Sequence, residues 1–265
     1  MRLQDKVAIV TGGGGGMGRG ICACLTREGA DVVVSDLDVA RARETVAAAE
    51  QAGRRGLAVA GDVTSEDDCA AVVQQALAAF GGVDILVNNA GHFGSHLSAP
   101  FTTLTGDDWD ENYAVNVKGP FFMCKAVAAH MMERRSGKIV NISSISAKRD
   151  PVFLPTYAAA KNALLNLTRV VAKDLGPYNV NVNAVLPGLV WTPFWERLAP
   201  MLAAQEPGGK QREPRAVFDE IAGSAVLGRP QTPEDVGNLV AFLSSEEACN
   251  ITGQAIHVDG GIAMG

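Results

Sequence analysis

Tyr157 and Lys161 stand four residues apart in Tyr157-Ala-Ala-Ala-Lys161, a helical spacing that puts both on one face with small residues between. A phenol has a reference pKa near ~10 and transfers protons poorly at neutral pH unless its phenolate is stabilised. An ammonium about 4 Å away contributes on the order of 4 kcal/mol at an effective dielectric near 20, enough to pull the phenol well below its usual range. Ser144, just past the apolar run Lys138 to Ile142, is placed to hydrogen-bond a substrate oxygen as charge develops, with Ser143 as its local competitor. Asn116, in Tyr113-Ala-Val-Asn116-Val, is expected in the long helix before that run, where its amide would hold a water connected to Lys161. Singly, each of these residue types more often fills a buried hydrogen-bonding role. Together they describe acid–base chemistry at one oxygen.

A second set of residues describes a nucleotide site. Thr11-Gly12-Gly13-Gly14-Gly15-Gly16-Met17-Gly18 follows a β-branched run and opens a helical pattern. Glycine is required where backbone turns sharply and where a side chain would hold a pyrophosphate away from the amides of a helix N-terminus. Asp36, some twenty residues on, can accept hydrogen bonds from both hydroxyls of an adenosine ribose, and Asp38 can cap the next helix equally well. A 2′-phosphate would meet a like charge at Asp36, and neither Gly15 nor Leu37 supplies a basic partner, so NAD is expected over NADP. Asp62-Val63 is placed to meet the adenine amino group, and Asn88-Asn89-Ala90-Gly91 fits a tight turn against a ligand. Gly12, Gly16, Met17, Gly18, Asp36, Leu37, Asp62 and Val63 are thus the positional cofactor candidates.

The elements that must hold these residues alternate along the chain. Strands are expected at Val7 to Val10, Val32 to Val34, Leu57 to Val59, Ile85 to Val87, around Ile139-Val140, at Val180 to Val185 and at Ala255 to Val258. Helices are expected at about Met17–Glu28, Val39–Ala52, Glu66–Phe80, Trp109–Arg134, Thr156–Leu175 and Pro233–Leu243. This order predicts one doubly wound three-layer α/β domain spanning 1–265, a parallel sheet with helices on both faces. Each nucleotide motif falls at the carboxyl end of an expected strand, the ligand-binding edge of such sheets. The stretch from Pro193 to Gly228, with Pro200, Pro207, Gly208, Gly209 and Pro214, reads as an irregular lid.

Composition narrows the partners. Net charge is −6 with no basic run, which argues against nucleic acid. No apolar run is long enough to cross a bilayer and the N-terminus carries charges, so a cytoplasmic protein is expected. The five cysteines form no CxxC pair or Cys/His cluster with metal spacing, so neither zinc nor a disulfide framework is expected. Cys22 and Cys24 read as buried small hydrophobes.

With these motifs the chain resembles the short-chain dehydrogenase/reductase family, of the compact single-domain kind. The likeness rests on Thr11-Gly12-x-x-x-Gly16-x-Gly18, Asp62, Asn88-Asn89-Ala90-Gly91, Asn116, Ser144, Tyr157-x-x-x-Lys161, Pro187-Gly188 followed by Thr192, and the ending Gly253-Gln254-x-x-x-Val258-Asp259-Gly260-Gly261. The resemblance implies a seven-stranded sheet and hydride transfer between a secondary alcohol and its ketone. It implies Tyr157 as general acid and base, Lys161 lowering its pKa and holding the nicotinamide ribose, Ser144 polarising the substrate oxygen, and Asn116 completing a proton relay. It further implies that Asn89, Ala90 and Gly91 line the cofactor with Pro187 and Gly188, that Val190 and Thr192 meet the carboxamide, and that the protein is a homotetramer. Pocket candidates are Ser144, Ser146, Phe93, Phe153, Leu154, Trp191 and Trp195, with Phe194, a mostly apolar set suited to a small secondary alcohol, diol or polyol. His92 and His96 read as exposed loop residues or as contacts to a polar substrate group. Two alternatives stand beside this reading: a 3-oxoacyl thioester reductase of the same fold, and a nucleotide-sensing binding protein without chemistry, which would be expected to lack Tyr157 or Lys161.

Overall fold

In the first strand, alternate residues serve opposite layers. Ala8 and Val10 pack with Ile21 and Leu25, Val46, and Val236 and Val240, whereas Val7 and Ile9 pack with Val72 and Ala76, Val127 and Met131. Both sets are buried, so the strand is apolar throughout, as expected for a parallel strand covered on both faces.

The computed structural model describes residues 1–96, 100–149, 154–204 and 212–264. Its strands are β1 (Val7–Thr11), β2 (Asp31–Asp36), β3 (Gly56–Ala60), β4 (Ile85–Asn88), β5 (Gly137–Ile142), β6 (Val180–Pro187) and β7 (Ala255–Val258). Its helices are α1 (Gly16–Arg27), α2 (Val39–Gln51), α3 (Glu66–Phe80), α4 (Gly106–Tyr113), α5 (Gly119–Arg134), α6 (Pro155–Leu175), α7 (Pro193–Ala204), α8 (Pro214–Gly223) and α9 (Pro233–Leu243). The seven strands form one sheet in the order β3-β2-β1-β4-β5-β6-β7, with every pairing parallel. The order reverses between β1 and β4, so the loops after these two strands diverge and leave a crevice, the ligand position of a doubly wound sheet. Thr11, Asp36, Asn88, Ile142 and Pro187 end their strands along that edge.

Two expectations are corrected. Trp109–Arg134 is not one helix: α4 ends at Tyr113, and a π-helical turn over Ala114–Lys118 leads into α5. Pro120 has no amide hydrogen to donate to the carbonyl of Asn116, which breaks the regular ladder here. Within 193–228 the described residues are also not irregular throughout: Pro193–Ala204 forms α7 and Pro214–Gly223 forms α8. Pro193 opens α7 and Pro214 stands in the first turn of α8, where a missing amide hydrogen costs nothing. These helices have their own core, in which Trp195, Leu198, Ala199, Ala203, Val217, Phe218 and Ala222 pack with Leu154 and Tyr157.

Candidate active site

The glycine turn is shaped by backbone close to backbone. Gly12 has φ +61°, and a Cβ there would lie 2.9 Å from the Cα of Ala90. A Cβ on Gly18 would stand 2.3 Å from the carbonyl oxygen of Gly12, whereas one on Gly16 would meet no protein atom within 4 Å. Gly16 lines the cleft, so a side chain there would fill ligand space rather than clash with protein. Asn89 straps the turn: its amide donates to the carbonyls of Thr11 and Gly12 at 3.0 Å each. Thr11 Oγ1 accepts from the amides of Asn89 and Ala90 at 3.1 Å.

Asp36 and Asp38 divide their work. Asp38 caps α2, accepting from the amides of Ala40 and Arg41. Asp36 accepts from the amide of Gly14 at 3.0 Å and from that of Asp38 at 3.1 Å, so its carboxylate is fixed on the cleft wall beside the glycine turn. Asp62 is oriented by Thr64, whose amide and hydroxyl both donate to it at 2.8 Å. An open turn at a helix N-terminus with a fixed carboxylate beyond it fits the pyrophosphate and ribose of a dinucleotide.

From that end the cleft runs, with a volume of about 930 Å³, to Ser144, Tyr157 and Lys161. Every positional and family-implied cofactor candidate lines it: Gly12, Gly16, Met17, Gly18, Asp36, Leu37, Asp62, Val63, Asn89, Ala90, Gly91, Tyr157, Lys161, Pro187, Gly188, Val190 and Thr192. Lys161 Nζ donates to the carbonyl of Ile142 at 2.9 Å and lies 5.6 Å from the centre of the Tyr157 ring. The Ser143 hydroxyl donates to the carbonyl of Lys161 at 2.9 Å. Ser144, two residues past the end of β5 in extended backbone, accepts from the amide of Ser146 at 3.1 Å and hydrogen-bonds Tyr157.

The electrostatics differ from the expectation that Lys161 pulls the Tyr157 phenol down. Burial dominates and pushes the phenol up, while the hydrogen bond with Ser144 opposes it. The same burial lowers the Lys161 ammonium to about 7. A buried amine that gives up its proton near neutrality exerts less pull on its neighbour than a full charge would.

Asn116 stands in the π-helical turn between α4 and α5. It is fully buried, and its amide nitrogen donates to the carbonyl of His92 at 2.6 Å and that of Asn112 at 3.0 Å. Its oxygen accepts from the amide of His92 at 3.2 Å. The side chain braces the loop after β4.

Among the pocket candidates, Ser146, Phe93, Leu154, Phe194 and Trp195 line the cleft. Phe93 bridges its two sides, with ring centres 4.7 Å from Tyr157 and 3.7 Å from Phe194. Trp191 does not line it: the indole packs edge-on against Phe218 at 5.1 Å, beneath the Arg215 guanidinium. Phe153 lies outside the described residues. His92 lines the cleft with Nε2 2.8 Å from Glu111 Oε1, and exposed His96 pairs with Asp108 at 2.5 Å. Missed from the sequence were Arg41, Arg149, Arg197, Leu198 and Leu202. Phe194, Leu198 and Leu202 repeat every four residues, a helical stripe that was visible once α7 was allowed to be a helix.

Fold and site define an oxidoreductase of the dinucleotide-binding α/β class. A family model described as Enoyl-(Acyl carrier protein) reductase matches residues 13–263. Galactitol 2-dehydrogenase of Agrobacterium fabrum (strain C58) is 39% identical over 98% of both chains. L-2,3-butanediol dehydrogenase of Corynebacterium glutamicum is 38% identical over 98% of this chain and 99% of its own. The structure of an NAD⁺-bound xylitol dehydrogenase superposes with a TM-score of 0.92 at 30% identity, over 98% of this chain and 100% of that one. The chain belongs to the short-chain dehydrogenase/reductase family and is an oxidoreductase acting on CH–OH groups.

Proposed function

We propose that this protein interconverts secondary alcohols, including diols and polyols, with their ketones, and that its cofactor is NAD. The carrying observation is the gathering of Ser144, Tyr157 and Lys161 on one wall of a cleft whose other end holds Asp36 beside an open glycine turn. The names of the relatives support the substrate class, and the NAD⁺-bound neighbour supports the cofactor.

The dinucleotide, when bound, supplies the hydride acceptor or donor, held by the glycine turn, Asp36, Leu37, Asp62, Val63, the 89–91 loop, and Pro187, Gly188, Val190 and Thr192. Tyr157 takes the hydroxyl proton during oxidation and returns it during reduction. Ser144 orients the substrate oxygen as charge develops on it. Lys161, tied to the end of β5, provides a polar contact for the ribose and a cation when protonated. Asn116 acts as a positioning residue, holding the backbone of His92 in the loop after β4. Asp36 selects NAD, because a 2′-phosphate would meet its fixed charge.

The whole chain works as one catalytic domain, with α7 and α8 covering the substrate end. The homotetramer implied by the family is supported by Phe121 on α5 and Val170 on α6, apolar residues 45% and 55% exposed on the two long helices. A cytoplasmic location is supported by five unbonded cysteines, of which Cys249 is exposed.

The test follows reduced-nicotinamide absorbance with NAD or NADP and a panel of secondary alcohols, diols, polyols and hydroxyacyl thioesters. Turnover of diols or polyols with NAD is expected. Activity confined to the thioesters with NADP would replace this reading with the reductase one.

A further inference from the structure

Among the described residues, the cleft wall carries both signs at its dinucleotide end, where Arg41 lies with two carboxylates, and only cations at its substrate end. Among the described residues, its carboxylates are Asp36 and Asp62, both at the dinucleotide end. Its substrate end carries Arg149, five residues beyond Ser144, and Arg197, on α7 between Trp195 and Leu198. Neither guanidinium has a hydrogen bond or an ion pair among the described residues. Arg2, Arg19, Arg54, Arg55 and Arg134 pair with carboxylates and Arg215 with Asp219 one helical turn away, whereas the side chains of Arg41, Arg43 and Arg229, like those of Arg149 and Arg197, have no hydrogen bond or ion pair among the described residues. Arg149 and Arg197 are both exposed, and together at the substrate end of the cleft, in a chain of net charge −6, they make a local positive field there.

The other groups there are mostly apolar, Phe93, Leu154, Phe194, Trp195, Leu198 and Leu202. Such a wall covers a carbon skeleton and leaves the guanidiniums for a group that matches their fork, a carboxylate or a phosphate. Resting on the alcohol-oxidation reading, we infer that the physiological substrate is an anionic secondary alcohol, whose oxyanion is bound by Arg149 and Arg197 while its carbinol faces Ser144 and Tyr157. These arginines therefore set specificity and do not take part in proton transfer.

The experiment compares matched substrates on the purified enzyme: 2,3-butanediol against 3-hydroxybutyrate, and sorbitol against sorbitol 6-phosphate. The charged member of at least one pair is expected to have about ten-fold higher kcat/KM at low salt, with the advantage shrinking as ionic strength rises. The carboxylate and phosphate pairs tell the two oxyanions apart. Arg149→Ala with Arg197→Ala is expected to raise KM for the charged member about ten-fold more than for the neutral one. Equal losses on both members, or a loss of dinucleotide affinity instead, would overturn the inference. A readout without turnover separates it from the alcohol-oxidation reading: tryptophan fluorescence titrated with malonate at constant ionic strength. Malonate binding that weakens about ten-fold in the double variant supports the arginine site even if every alcohol is inert. Malonate affinity equal in the two proteins refutes it even if the neutral alcohols turn over.

Discussion

At the dinucleotide end the cleft wall is largely backbone: Gly12 against Ala90, Gly18 against Gly12, with the Asn89 amide bonded to main-chain carbonyls. At the substrate end it is side chain against side chain: Phe93 on Phe194 and Tyr157, with Trp195 edge-on to Phe218 at 4.9 Å. Backbone geometry admits few residue types at each position, so the first end is fixed in what it holds. Rings and aliphatic chains of similar volume can replace one another, so the second end can change its ligand while the fold stays.

Four measurements sharpen this contrast. The largest effect is expected at the junction of the two ends, where Tyr157→Phe removes only a hydroxyl. Turnover should fall on the order of 10³-fold while NADH affinity changes less than two-fold, read by absorbance and by fluorescence titration. Retained turnover would place the acid elsewhere.

At the substrate end, Phe218→Ala empties a fully buried ring position. Stability should drop by about 3 kcal/mol in urea unfolding and KM for the alcohol should rise, with dinucleotide affinity nearly intact. A matching loss of dinucleotide affinity would show that the two ends are not built separately.

At the dinucleotide end, Asp36→Ala should lower kcat/KM with NAD by about ten-fold or more and raise activity with NADP. Arg41, on the same wall, is then the cation available to a 2′-phosphate, so adding Arg41→Ala should cancel the gain.

The smallest effect is a pH dependence. The folded chain releases the Lys161 proton near 7, whereas an unfolded lysine holds it to about 10.4. Between these values the unfolded state binds more protons, so stability from this site rises with pH and is lowest below 7. Relative to Lys161→Met, the wild type should gain about 2 kcal/mol between pH 7 and 9 in chemical unfolding. A difference independent of pH would mean that Lys161 keeps its charge. Because the phenol is raised, oxidation, which needs the phenolate, should also accelerate with pH across the alkaline range.

The same contrast explains what the sequence made legible. The strands and Gly12, Gly18, Asn89 and Asp36 could be read because backbone approach, a positive φ and a strand end each demand a narrow set of residues. The sequence favoured Ser144 with Ser143 as its competitor, and the fold adds that the Ser143 hydroxyl is taken by the carbonyl of Lys161. The π-turn at Asn116 hid inside a continuous helical pattern, with Pro120 its one visible trace. Proline and glycine density in 193–228 masked α7 and α8, although two of those prolines sit where helices begin. Arg41, Arg149 and Arg197 looked like ordinary surface charge until the fold turned them to the cleft.

The most direct test of the central claim uses 2,3-butanediol deuterated at its carbinol carbons, with NAD and the purified enzyme, followed by NMR of the dinucleotide formed. Direct hydride transfer from a secondary alcohol predicts deuterium at C4 of the reduced nicotinamide and slower turnover than with the unlabelled diol. Reduced nicotinamide without the label, or no reduction of NAD by any alcohol in the panel, would contradict it.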